Sequence, residues 1–287
     1  MLLASLIAAL GCVDELSSDQ DVSSTQQPIY FGTPDTDPEH DAVVAIAFAS
    51  DSTYFCTGTL IRRSVVLTAA HCLEDLTPED LVVFFGDDAN VGQGDYRDVS
   101  ELLSHPKYDP DELSADIALI SLAEKAPKDI SPIPYLPKKR RLTSDDQGLD
   151  VVFAGFGLTE TMDEGVKLRA DGTITLVCDD EPCVSGLVVP KSFYFAMENG
   201  GPCVGDSGGP TFVVREGREY VAGVTSYGDP GCTEYGVNTT VSDYTGFISD
   251  FTDGGCSASR QALGGAGPGF LAALLMLLGL RRRRSHV

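Results

Sequence analysis

Short runs rich in β-branched and aromatic residues recur along the middle of the chain: AVVAIAFA (42–49), SVVLTA (64–69), LVVFF (81–85), DIALISL (116–122), VVFAGFG (151–157), GTITLV (172–177), TFVV (211–214) and YVAGVTSY (220–227). Clusters of Gly, Pro, Asp and Ser separate them. Runs of this length are strands rather than globular helices, and turn residues at such intervals are the mark of a sandwich or barrel. The pattern therefore predicts an all-β fold. One segment breaks it: in VSDYTGFISDF (241–251), Tyr244, Phe247, Ile248 and Phe251 recur at three and four residues, which predicts a short helix closing the domain.

With 287 residues, 43% of them hydrophobic, the chain can bury one large core or two small ones. Its 43 acidic residues face 20 basic ones, and five of the latter, Arg260 and the arginines at 281–284, lie beyond Cys256 where there is no acid. Nucleic acid and anionic lipid are poor partners for so acidic a surface.

Both ends read as addresses. MLLASLIAALGC (1–12) has the apolar core of a signal segment but no basic start, so a short buried helix is the competing reading. Ala9-Leu10-Gly11-Cys12 also resembles a lipoprotein cleavage box, with the leucine one place late, and lipidation of Cys12 and plain cleavage stay open. Residues 13–28 are polar and strand-poor, a tether or propeptide. From 262 to 280 there is no charge, long enough for a membrane span, and the arginines follow. Cys256, that span and the arginines resemble the myxobacterial C-terminal sorting signal (MYXO-CTERM), which implies surface anchoring after removal of the tail (253–287); a plain tail anchor is the alternative. Either way residues 13–255 are expected outside the cytoplasm.

Setting Cys12 and Cys256 aside leaves Cys56, Cys72, Cys178, Cys183, Cys203 and Cys232, an even number that predicts three disulfides in an exported chain. Zinc at Cys178-x4-Cys183 is the competing reading, but none of the four histidines lies near that pair. No metal or cofactor is expected. The basic run at 138–141 follows PIPYLP and predicts a solvated connector between two β-rich halves, or a processing site.

Three separated stretches carry chemistry. LTAAHC puts His71 at the end of an apolar strand, SADIALISL puts Asp116 at the head of another, and GDSGGP puts Ser207 in a glycine-rich turn. Acyl transfer uses this set: a serine hydroxyl is a weak nucleophile, a histidine takes its proton, and a carboxylate orients and stabilises the imidazolium. Each residue alone has a structural explanation; together they point to a nucleophilic hydrolase.

The motifs TAAHC, DIAL and GDSGGP, in this order, resemble the trypsin and chymotrypsin family of serine proteases over about 29–252. That resemblance implies two six-stranded antiparallel β-barrels with the site in the cleft between them. It assigns His71 as general base and acid, Asp116 as its orienting carboxylate, Ser207 as nucleophile, and the N–H groups of Gly205 and Ser207 as an oxyanion hole. Gly205 is then a glycine because a side chain would crowd the substrate oxygen. Cys56–Cys72, Cys203–Cys232 and, by substitution for an absent partner, Cys178–Cys183 are the implied disulfides. His105 in HPKYD takes a structural role, and Ser226 hydrogen-bonds Asp116.

By the same resemblance Ser226, Tyr227 and Gly228 pair with substrate backbone. Gly201 stands at the pocket base where an aspartate would select Arg or Lys, Gly228 and Gly236 form its walls, and Pro202 and Asn238 narrow it. An apolar or aromatic side chain is expected before the scissile bond, with Glu234 the one feature favouring a basic one. Cleavage in QQPIYFGT would free the Ile29 amine to pair with Asp206; Pro28 rules out a simple trypsin-type activator, so another protease cuts or the chain stays a zymogen. The expected protein is a monomeric, exported, surface-associated endopeptidase acting on protein or peptide substrates. The alternative is a non-catalytic surface binding module on a protease fold; lipase chemistry is a distant third, since GDSGGP lacks the G-x-S-x-G elbow.

Overall fold

A computed structural model describes residues 29–254, except Tyr30, Glu160, Met162, 185–187, Glu198 and Asn199. The readings made for Cys12, Cys256, the signal and tether segments and the C-terminal tail lie outside the described residues. Among those described, no helix is long and apolar enough to cross a membrane.

The chain enters at β1 (Thr33–Pro34) and then builds β2 (Val43–Phe48), β3 (Tyr54–Arg62), β4 (Val65–Thr68), β5 (Leu81–Phe85), β6 (Asp95–Ser104) and β7 (Ala118–Leu122). These last six close a barrel in the order β2-β3-β4-β7-β6-β5. A second ring follows from β8 (Asp150–Gly155), β9 (Leu168–Cys178), β10 (Ser192–Ala196), β11 (Pro210–Arg215), β12 (Arg218–Gly228) and β13 (Tyr235–Thr240). It runs β8-β9-β10-β13-β12-β11 and closes where β11 pairs with β8, while β1 lies against β9. Closure leaves neither ring a long unpaired edge.

One apolar cluster spans both rings, from Ile46, Leu60 and Leu67 in the first to Phe156, Phe212 and Val224 in the second. Strands such as β2 are thus buried on both faces, which is why they read as unbroken apolar runs. The expected closing helix is α1 (Thr245–Gly254), entered through a 3-10 turn at Val241–Tyr244. It follows the second barrel but packs Ile248, Phe247 and Phe251 on the cluster of the first. There the His105 ring meets Tyr244 and Phe247 edge-on, with centroids 5.0 and 4.9 Å apart. The basic run lies between the rings, flanked by the buried Leu136 and Leu142, although Arg140 is engaged by Tyr220 and Glu216 rather than simply solvated.

A charged seam joins the entering segment to both barrels. His40 is almost fully buried, stacked on Phe212 at 4.5 Å, with Nδ1 2.6 Å from Asp35 and Nε2 2.9 Å from Glu219 of β12. Burial alone would lower its pKa, but the two carboxylates outweigh that and raise it to about 9. Beside it the buried Lys167 ammonium meets Asp87 at 2.7 Å and Asp41 at 3.4 Å.

Because the His40 pKa rises on folding, its stabilisation is complete below its ordinary value of 6.5 and is lost as pH rises through about 9. His40→Gln should cost about 3–5 kcal/mol near neutral pH, since it strands two carboxylates. Denaturant titrations should show the gap to wild type narrowing across that alkaline window.

Candidate active site

Strand β4 ends at Thr68, and two buried alanines carry the chain into a 3-10 turn at His71–Leu73. The Cys56–Cys72 disulfide ties this turn back to β3. Asp116 reaches it from a loop in which Leu113 and Ala115 hold positive φ (53° and 52°), just ahead of β7. The Asp116 carboxylate is fully buried, yet it accepts from the His71 N–H at 2.9 Å, from His71 Nδ1 at 2.7 Å and from the Ser226 hydroxyl. An ionised carboxylate only accepts, so with Asp116 ionised the Nδ1 of His71 is the donor in this bond and Nε2 is the ring nitrogen turned away from Asp116.

The serine loop comes from the second barrel, pinned by the Cys203–Cys232 disulfide. Its N–H groups are used selectively: Asp206 donates to Cys203 at 3.0 Å, Gly208 to Thr225 at 2.8 Å and Gly209 to Asp206 at 2.8 Å. Those of Gly205 and Ser207 have no partner among the described residues. Gly205 has φ +94°, and a Cβ there would lie 2.8 Å from Gly157 Cα, so the backbone conformation and its own support already demand glycine before any substrate is considered. The carbonyl of Ser207 lies 3.5 Å from Cys72 Sγ, itself 3.7 Å from His71 Nε2, so the serine backbone and the imidazole share one sulfur as neighbour.

Asp206 points inward from this loop. Its carboxylate accepts from the N–H groups of Gly157 and Cys203, both at 2.8 Å, and no cation pairs with it among the described residues. Burial therefore outweighs those two bonds and raises its pKa to about 7. Ile29 is fully buried too, but against Leu168 and Ala170 of β9. Leu168 is the register partner of Gly155, and a Cβ on Gly155 would lie 2.1 Å from the Asp206 carboxylate. Ile29 and Asp206 are thus neighbours through a single strand pair without touching.

A cavity of about 260 Å³ opens beside Ser207, lined among others by Pro202, Ser226, Tyr227, Gly228 and Gly236. Two of the expected pocket residues lie outside its wall. Gly201 abuts the Met197 side chain, and Asn238 is buried behind, its amide donating to Thr211 and Thr225. Phe195 also lines the cavity, paired with Gly236 across β10 and β13; a Cβ on Gly236 would fall 2.2 Å from its ring. Larger surface clefts of about 840 and 670 Å³ lie elsewhere, away from Ser207. Convergent chemistry, not size, marks the site.

Cys178 and Cys183 form the third disulfide, closing a local loop. Cys56, His71 and Cys72 have donor atoms close enough together for a metal, but the two sulfurs are bonded to each other and offer no thiolate. Three residues that matter here were not anticipated: Phe195, Met197 and Thr57, whose hydroxyl reaches the Gly205 carbonyl. Nothing local in the sequence marks them.

Residues 29–248 match the family described as Trypsin. Among curated relatives, the chain is 29% identical to "Chymotrypsin-like elastase family member 1" of Canis lupus familiaris, over 81% of this chain and 95% of that one. It is 31% identical to "Vitamin K-dependent protein C" of Mus musculus, over 76% of this chain and 51% of the relative. "Collagenase" of Hypoderma lineatum is 29% identical, over 67% and 74%.

Gly205→Ala should lower stability by about 1–3 kcal/mol in urea denaturation, through φ strain plus the Gly157 contact. Gly217→Ala, at φ +74° with nothing within 4 Å, isolates the strain alone and should cost less.

Proposed function

The chain belongs to the trypsin family of serine proteases, and from that premise we propose that it is an exported serine endopeptidase cutting peptide bonds through an acyl-enzyme. The observation that carries this reading is the buried Asp116, bonded at once to His71 and Ser226, beside a serine loop with two N–H groups that have no partner among the described residues. Ser207 Oγ attacks the scissile carbonyl while His71 Nε2 takes its proton, and Asp116 holds the resulting imidazolium in place. The N–H groups of Gly205 and Ser207 receive the oxyanion, an effect worth roughly 3–4 kcal/mol per donor in comparable enzymes. His71 then protonates the leaving amine, and water, deprotonated by the same imidazole, releases the acyl group.

Substrate backbone adds to β12 as an extra strand. The ladder with β11 ends at Val224, and past Thr225 no described strand lies on that side of Ser226 and Gly228. The residue before the scissile bond enters the cavity beside Ser207. Gly201 stands where an aspartate would select Arg or Lys, and Asp229, which does line the cavity, has its carboxylate taken up by the N–H groups of Gly231, Thr233, Glu234 and Tyr235, so basic side chains are not selected. With Phe195 in the lining, small aliphatic side chains fit better than the aromatic ones the sequence also allowed.

Activation is cleavage before Ile29 by a separate protease. In the uncut chain Asp206 has no cation among the described residues, and burial raises its pKa to about 7: the stability of the protonated carboxyl is full below its ordinary 3.8 and is lost as pH rises through about 7. A new amine at Ile29, one strand pair away, would supply the missing charge. Export by residues 1–12 and surface sorting through Cys256 and the tail complete the reading, supported by their composition and by three disulfides.

A fluorophosphonate probe should add one adduct to a chain beginning at Ile29, seen by intact mass and absent in Ser207→Ala. Lack of an adduct on that mature chain would favour the binding module. Among peptide amides, Ala or Val before the scissile bond should exceed Phe in kcat/KM by roughly tenfold or more, and Phe195→Ala should erase most of that difference; unchanged ratios would remove Phe195 from the specificity account.

A further inference from the structure

We infer that Thr57 is a positioning residue for catalysis: its buried hydroxyl fixes the Gly205–Asp206 peptide, which lies between the two peptides that carry the Gly205 and Ser207 N–H groups, and so sets the direction in which both face the substrate. The inference rests on the protease reading above and deepens it.

Thr57 lies inside β3, fully buried in a core where a hydroxyl is costly unless both its proton and its lone pairs are used. Both are. The Oγ1 proton goes to the Gly205 carbonyl at 2.9 Å, and Oγ1 accepts the Phe156 N–H at 3.2 Å. The backbone of the same residue donates to the Ser207 carbonyl at 2.8 Å and accepts from the Thr68 hydroxyl at 2.9 Å. Four bonds from one residue thus join the end of β8, the strand that leads to His71, and the serine loop.

Peptide geometry gives these bonds a consequence. In a trans peptide the C=O and N–H point opposite ways, so holding one aims the other. The Val204 carbonyl accepts from Leu158 N–H at 2.7 Å, which turns the Gly205 N–H away from that strand. In the next peptide, Thr57 holds the Gly205 carbonyl while Asp206 N–H donates to Cys203 on the other side. The Ser207 carbonyl, two peptides further on, is held by Thr57 N–H, so the Asp206–Ser207 peptide that carries the Ser207 N–H lies between two peptides that Thr57 holds, its own carbonyl accepting from Gly209 N–H.

Gly205 is the weak point of this stretch. The missing Cβ that permits φ +94° also permits rotation away from it, so an external bond must hold the peptide. Thr57 supplies that bond from the other barrel, without itself reaching substrate.

The test uses the matured wild-type protein beside Thr57→Val, which keeps the shape and removes both hydroxyl bonds, and Thr57→Ser, which keeps them. On a peptide amide, the valine variant should lose about tenfold to a hundredfold in kcat with KM within about threefold, and its fluorophosphonate reaction should slow in parallel. The serine variant should stay within about threefold of wild type at a temperature well below every melting point. A valine variant with unchanged kcat but a lower melting temperature would overturn the proposal and leave Thr57 a packing residue; so would a serine variant as impaired as valine. Matured wild type that neither turns over substrate nor labels at Ser207 would bring down the protease reading and this inference together, an outcome distinct from either.

Discussion

The serine loop is shaped by a carboxylate that cannot reach water. Asp206 is buried next to Ser207, and among the described residues its carboxylate is bonded only to backbone N–H groups. Room for it exists because Gly155 and Gly157 have no side chains: a Cβ on either would come within 2.1 to 2.6 Å of its oxygens. A charge so placed is stable only if neutralised or given a cation. Asp206 lies between Gly205 and Ser207, so this carboxylate and their two N–H groups share one short stretch of backbone.

The groups proposed to react come from different barrels and are aligned by polar contacts across the seam. His71 and Asp116 belong to the first ring, Ser207 and Ser226 to the second. Apolar burial holds the rings together but has no direction; the hydrogen bonds of Ser226 to Asp116 and of Thr57 to the serine loop do. Helix α1 makes the return contact on the far side, so the rings are clasped at two places remote in sequence.

How much of this was readable beforehand follows from burial. Strands buried on both faces, such as β2 and β5, show as continuous apolar runs. β6, DYRDVSELLS, is mostly exposed and charged, so its pairing with β5 and β7 leaves no hydrophobic trace. β3 hides because its interior positions include the polar Thr57 and Thr59, and the Thr57 hydroxyl is bonded to residues far along the chain. In the site, His71, Asp116 and Ser207 sit in motifs whose order was informative, whereas the Thr57 hydroxyl answers to residues 148 and 99 positions away. Phe195 was likewise silent: only the register that sets it opposite Gly236 brings it to the cavity, and the same register leaves Asn238 behind the wall.

The basic connector between the barrels is anchored from both sides. Ahead of it Leu136 N–H donates to the Val221 carbonyl and Val221 N–H to that of Pro134, and behind it Leu142 is buried in the second core. A nick within 138–141 would therefore free two chain ends without freeing either half. The first ring would stay attached through the shared apolar cluster and α1, giving a two-chain molecule that separates only under denaturant, since among the described residues no disulfide crosses that point.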